Sequence, residues 1–147
     1  MESPNDAIHE RARFLARHSD AHEVLNITLL MMFDMEIPLK MSGFDYLKKS
    51  VVIAFQRPSQ IVLKEIFQEV GKQYDPEANY DAIDTGIRDA VKKAWENRHM
   101  DRWNYYFPEH ILLEDKPPCN LELISGMVYF LEMWQSCCRK EVSYAGK

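Results

Sequence analysis

Residues 37–52, IPLKMSGFDYLKKSVV, residues 65–74, EIFQEVGKQY, and residues 79–95, NYDAIDTGIRDAVKKAW, decide the fold of this chain. In each, apolar side chains recur at the three- and four-residue spacing that lines one face of a helix, so they read as three helices. Gly71 is small enough for two helices to cross closely, and Asp75, Pro76 and Glu77 form a polar turn before the next helix. The last two helices therefore read as a helix-turn-helix, the arrangement by which a protein presents one helix to a DNA groove. In the longer helix, with Asn79 as its N-cap, Ile83, Ile87, Ala90, Ala94 and Trp95 share one stripe. Ala82, Thr85, Arg88, Asp89 and Lys92 fall on the opposite side and are the candidate reading surface.

Helices continue in both directions, and no segment alternates as a strand would. Ser3, Pro4 and Asp6 carry a cap and first-turn signature for an N-terminal helix with Ile8, Ala12 and Leu15 on one face. Asp20 and Glu23 open a second helix whose Val24, Ile27, Leu30, Met31 and Met35 are apolar nearly all round, with Pro38 barring its extension. Ser42 and Gly43 begin the third, in which Phe44, Leu47, Val51, Ala54 and Phe55 recur until Pro58; Ser59 opens the fourth, which buries Ile61, Ile66, Phe67 and Val70. A short helix near Trp103–Phe107, a loop with Pro108, Pro117 and Pro118, and a final helix capped by Asn120 complete the chain. That last helix carries Leu123, Ile124, Met127, Val128, Leu131 and Trp134. The expected architecture is all-α: a six-helix core with a helix-turn-helix in residues 22–140, an N-terminal helical extension over 1–21 and a tail over 141–147.

At 147 residues and 46% hydrophobic content the chain suits one domain that buries about 70% of its unfolded surface. Its three cysteines, Cys119, Cys137 and Cys138, lack zinc-ribbon spacing, and an odd count with an adjacent pair reads as reduced thiols in a cytoplasm. The longest apolar run, Leu29–Phe33, is far too short to span a bilayer, and the N-terminus has no signal-peptide core. His18 and His22, four apart, supply two ligands of the four that a closed zinc site needs, so they read as surface histidines and no metal is expected. The chain has no nucleophile elbow, phosphate loop or metal-ligand quartet, which argues against catalysis, a cofactor and a small-molecule substrate.

Net charge is −5, unfavourable for a nucleic-acid binder unless it is segregated. It is. From Lys40 to Lys64 the balance is +4 (Lys40, Lys48, Lys49, Arg57 and Lys64 against Asp45). From Glu65 to Asp84 it is −5 (Glu65, Glu69, Asp75, Glu77, Asp81 and Asp84 against Lys72), and over 85–102 it returns to +2. Lys40, Lys48 and Lys49 are candidates for phosphate contacts, and ordinary solvated lysines are the alternative. Arg11, Arg13 and Arg17 with His9 and His18 form either a basic arm or a solvated helix face.

The ordered set IP (37–38), GFDYLKKS (43–50), EVGKQY (69–74), GIRDAVKKAW (86–95), MD (100–101) and KPPCNLELISGMV (116–128) resembles the C-terminal effector domain of the stage-zero sporulation response regulator family. The similarity spans about residues 22 to 130. The resemblance implies a six-helix domain that binds double-stranded DNA through its helix-turn-helix, often in tandem copies, and controls transcription. It also implies that arginines in the first turns of the recognition helix read bases and touch phosphates. At the matching positions this chain has Ala82 and Thr85, retaining only Arg88, and Asp81, Asp84 and Asp89 replace basic or neutral neighbours. The turn over 75–78 is about two residues longer than usual for short connections. Only some 20 residues precede the similarity, too few for a phosphoacceptor domain, so the expectation is an effector domain acting without one.

Asp81 and Asp84 have a structural reading too, since carboxylates in a helix's first turns complement its dipole by about 0.3–1 kcal/mol each. Likewise Arg88 either faces DNA or pairs with Asp84, four residues earlier. The leading expectation is a transcriptional regulator that places Asn79, Ala82, Thr85, Arg88 and Lys92 at the groove and Lys40 and Lys48 on the backbone. The competing class is an interaction module, in which the acidic helix-turn-helix face, with Glu65, Glu69, Asp81 and Asp84, meets a protein, either a transcription-factor relative or a second copy through the last helix.

Overall fold

The computed structural model describes residues 22–57, 60–107, 112 and 115–145, with side chains through Cys137. Six helices account for most of it: α1 (His22–Asp34), α2 (Ser42–Gln56), α3 (Leu63–Tyr74), α4 (Tyr80–Glu96), α5 (Met100–Tyr106) and α6 (Asn120–Ala145). No strand occurs among the described residues. The N-terminal helix expected from Ser3 to Arg17, and with it the extension over 1–21, lies outside them, and α6 continues to Ala145, into the stretch expected as a tail.

Helix α2 is the hub, packed against α1, α3, α4 and α6. Phe44, Leu47, Val51 and Ala54 are buried on it as their spacing requires, and Ser50 and Ile53 join them. It ends where the sequence says it must: Arg57, the residue before a proline, is extended with φ −91° and ψ 128°. On α6, Leu123, Ile124, Met127, Val128, Leu131 and Trp134 all enter the same core, completed by an edge-to-face pair of Trp95 and Trp103 with centroids 5.0 Å apart. Gly126 leaves room on α6 for the Phe107 ring, which a Cβ would strike.

Three local expectations are corrected. Helix α3 begins at Leu63, not after Ser59, because Val62 is held extended at φ −119° with no side chain capping the helix behind it. Asn120 does not cap α6; it is the helix's first residue, and the cap interaction is made one residue earlier, where Glu122 accepts the backbone N–H of Cys119 at 3.1 Å. The Cys119 hydrogen bonds hold the Glu122 carboxyl below its usual range, while burial pushes the Cys119 thiol up.

The third concerns the end of α1, which stops before Pro38 can act. Ile37 donates its N–H to the Met32 carbonyl at 3.0 Å and Glu36 to that of Phe33 at 3.1 Å, the paired bonds of a Schellman motif. Buried Ile37 and Met32 supply its apolar contact. The residue in the left-handed position is Glu36, with φ 59° where glycine is usual. That conformation costs an L-residue about 1–2 kcal/mol, whereas the half-exposed ion pair of Glu36 with Arg102, 3.3 Å long, returns about 1 kcal/mol at most. Glu36→Gly is therefore expected to raise the melting temperature by about 1–4 °C in a calorimetric scan; a decrease would show that the tie to Arg102 outweighs the backbone strain.

Candidate nucleic-acid interface

The α3–turn–α4 unit is fastened from behind. Residues Asp75–Asn79 connect the helices, and Asn79 caps α4 by accepting the Ala82 N–H at 2.8 Å. From α2, the Tyr46 hydroxyl donates to the Asp75 carboxylate at 2.8 Å, a bond that raises the phenol's pKa, and Lys49 lies 4.2 Å over the Tyr74 ring. Gly71 is buried as expected at a close approach, yet what presses on it is the turn itself: a Cβ there would meet the Ala78 carbonyl oxygen at 2.9 Å.

Among the glycines of the described residues, the tightest approach is that of Gly43 to Gly86. A Cβ on Gly43 would run into the Gly86 carbonyl and come within 2.9 Å of the Ala90 Cβ, so α2 and α4 touch backbone to backbone. Gly43 was expected to ease a helix start; its structural work is to let α4 lie this close. A Cβ on Gly86, by contrast, would meet the Tyr46 ring at 3.2 Å.

With that seat fixed, α4 buries Ile83, Ile87, Ala90, Val91, Ala94 and Trp95 and exposes Asp81, Ala82, Thr85, Arg88, Asp89, Lys92 and Lys93. The expected reading surface is thus one exposed face. Its first turns are acidic, at Asp81 and at Glu77 just before the helix; its later turns carry Arg88, Lys92 and Lys93, with Asp89 among them and Glu96 3.6 Å from Lys93.

Asp84 does not join the acidic end. Its side chain is 16% exposed, and it turns toward α6, accepting from the Asn120 amide through Oδ1 at 2.8 Å while its carbonyl accepts from the same amide at 3.0 Å. Its other oxygen pairs with Arg88 at 2.5 Å, so the pairing alternative for Arg88 is realised, with the arginine side chain still 66% exposed. One flank of α4 is therefore bounded by the start of α2, the other by the start of α6.

The lysines divide. Lys40 is exposed in the residues leading into α2, beside the flank where Gly43 meets Gly86. Lys48 lies about 140° around α2 from Gly43, by 100° per residue, and does not share the α4 face. Lys48 and Lys49 both pair with Asp45, at 3.0 and 2.6 Å. Burial pushes that carboxyl up, but the hydrogen bonds from Lys49 and Lys48 prevail and hold it below its usual range. Among the described residues no group of three or more His, Cys, Asp or Glu is placed to hold a metal, and no helix is long and apolar enough to cross a membrane.

Sequence reasoning missed Gly86, Tyr46 and Asn120 as parts of this site. Each acts through a partner at least 29 residues away; the resembled motifs include Tyr46 and Asn120, and Asn120 was otherwise read only as a helix cap. A profile of the family described as "Sporulation initiation factor Spo0A C terminal" matches residues 27–131, from within α1 to within α6. No solved structure matches the chain.

Proposed function

Because the chain belongs to the Spo0A C-terminal family, a family of DNA-binding effector domains of transcription regulators, we propose that α4 is its recognition helix and enters the major groove of double-stranded DNA. Arg88 and Thr85 lie at the bases, Ala82 leaves a small apolar surface suited to a thymine methyl, and Lys92 meets phosphate. Asn79 stands at the helix N-terminus, where its cap keeps the first N–H groups in order, and Lys40 extends the phosphate contacts along the α2 flank. Lys48 is the weakest member of the set, because it lies off the α4 face and shares Asp45 with Lys49. The observation that carries the reading is the sorted α4: every core position of the helix is buried, and the opposite face stands clear of α2 and α6.

The test is a titration of the 147-residue chain into a labelled random-centre duplex pool at low and rising salt. Binding that weakens steeply with salt supports the reading, because each neutralised phosphate releases counterions; no shift at low salt overturns it.

The acidic turns supply a second measurement. Asp81 complements the helix dipole, and a unit charge some 7 Å from a phosphate in water is worth roughly 0.6 kcal/mol. Asp81→Asn is therefore expected to tighten duplex binding about threefold at low salt while lowering stability slightly, by about 0.3–1 kcal/mol. Unchanged affinity would mean that the first turn of α4 stays away from DNA.

A second reading rests on Glu77, Asp81 and Asp89, exposed carboxylates on or beside the reading face. In it that face meets a basic protein surface. Retention of a partner from lysate after nuclease treatment, lost on reversing these charges, favours it over the first.

A further inference from the structure

We propose that Asp84 is a positioning residue for sequence readout: it aims the Arg88 guanidinium at a guanine, and Asn120, from the start of α6, aims Asp84. This rests on the recognition-helix reading above.

An exposed intrahelical pair of carboxylate and arginine is ordinarily loose, because both side chains turn freely. Here one partner cannot turn. Each Asp84 oxygen is engaged, Oδ1 by the Asn120 amide at 2.8 Å and Oδ2 by the Arg88 guanidinium. Asn120 is 7% exposed, and its amide also reaches the Asp84 carbonyl at 3.0 Å, so it is held against the α4 backbone as well as the carboxylate. As the first residue of α6 it makes both bonds as a donor, through its amide N–H groups.

The guanidinium is thereby tethered by a carboxylate whose own direction is set by a different helix. Arginine carries five N–H donors in a planar fork, and the bond to Asp84 leaves donors free on a side chain that is 66% exposed. Guanine presents O6 and N7 in the major groove as two acceptors that such a fork meets in one plane. Fixing the plane beforehand favours that geometry over the many in which a free arginine would settle on the nearest phosphate. The same carboxylate repels phosphate, which lowers affinity for every sequence alike. Asp84 thus trades general affinity for discrimination, an exchange suited to a helix left with one arginine at the groove.

A carboxylate that merely fastens α6 to α4 would affect all sequences equally. The deciding experiment selects duplexes from a random-centre pool with the wild-type chain, Arg88→Ala, Asp84→Asn, Asn120→Ala and Asp84→Glu, each checked for folding by near-ultraviolet circular dichroism. Wild type is expected to enrich guanine at one position, and Arg88→Ala to lose that preference. Asp84→Asn is expected to bind the unselected pool as tightly as wild type or more so, with the guanine preference reduced about tenfold, within the span that one good base contact commands. Asn120→Ala moves in the same direction, and Asp84→Glu, which keeps a carboxylate four residues before Arg88, restores most of the preference.

If Asp84→Asn or, should that variant not fold, Asn120→Ala keeps the full guanine preference, or loses preference and pool affinity together, Asp84 is a structural fastener only and the inference is overturned. That outcome leaves the recognition helix standing, whereas a wild-type chain that never binds the pool removes both.

Discussion

Arg88→Ala is expected to weaken binding to the preferred duplex by about 5- to 150-fold, corresponding to about 1–3 kcal/mol for one good base contact. Its affinity for an unselected pool should fall far less, and the melting temperature should hardly change. The small structural cost follows from the pairing: Arg88 is two-thirds exposed, and its removal leaves Asp84 still bonded to Asn120. An exposed intrahelical pair contributes about 0.3–0.5 kcal/mol. Fluorescence anisotropy with the selected duplex and with the random pool separates the two affinities. Equal losses on both would make Arg88 a phosphate contact, and no loss on either would move the interface off this face of α4.

The second large effect concerns the fold. Gly43→Ala places a methyl inside the Gly86 carbonyl and against Ala90, where the obstacle is backbone on one side and a short, inflexible side chain on the other. Overpacking a well-filled site costs about 1–3 kcal/mol and more when nothing can yield. A loss of about 3 kcal/mol would lower the melting temperature by about 6–12 °C. Because α2 is also the seat of α4, the variant is expected to bind DNA more weakly at temperatures where it is still folded. Gly86→Ala makes the contrast, since its methyl meets side chains and no backbone, the Tyr46 ring edge at 3.2 Å and the Ser42 hydroxyl at 3.5 Å, and the helix gains from alanine. Equal stability of Gly43→Ala and wild type by thermal melting would contradict the backbone-to-backbone crossing.

The helices were legible wherever periodicity was strong. The five residues read as the buried stripe of α4 are buried, the five read as its outward face are exposed, and the six apolar positions picked on α6 all enter the core. Period alone suffices there because an amphipathic helix has one way to hide its apolar side. The boundaries were less legible, for physical reasons. The end of α1 is set by a left-handed glutamate that no local rule favours, and Pro38 drew attention two residues too late. Asn120 looked like a cap because that is where asparagine is common, but it is already the first helical residue, and its amide donates to a carbonyl and carboxylate 36 residues away. Cys119, not an ordinary capping type, conceals the true helix start. For the site, the pair of Asp84 and Arg88 was readable from spacing, while its anchor on α6 and the glycine contact under α4 were not, since both join segments distant in sequence.

The glycine contact also bears on how readily this protein can change what it binds. Where two main chains meet without intervening side chains, the support of the helix draws nothing from its outer face, so positions 82, 85, 89 and 92 are free to vary without disturbing the platform beneath. A combinatorial library at those four sites should yield mostly folded members, and new targets would arise by drift across one surface while the scaffold stays constant.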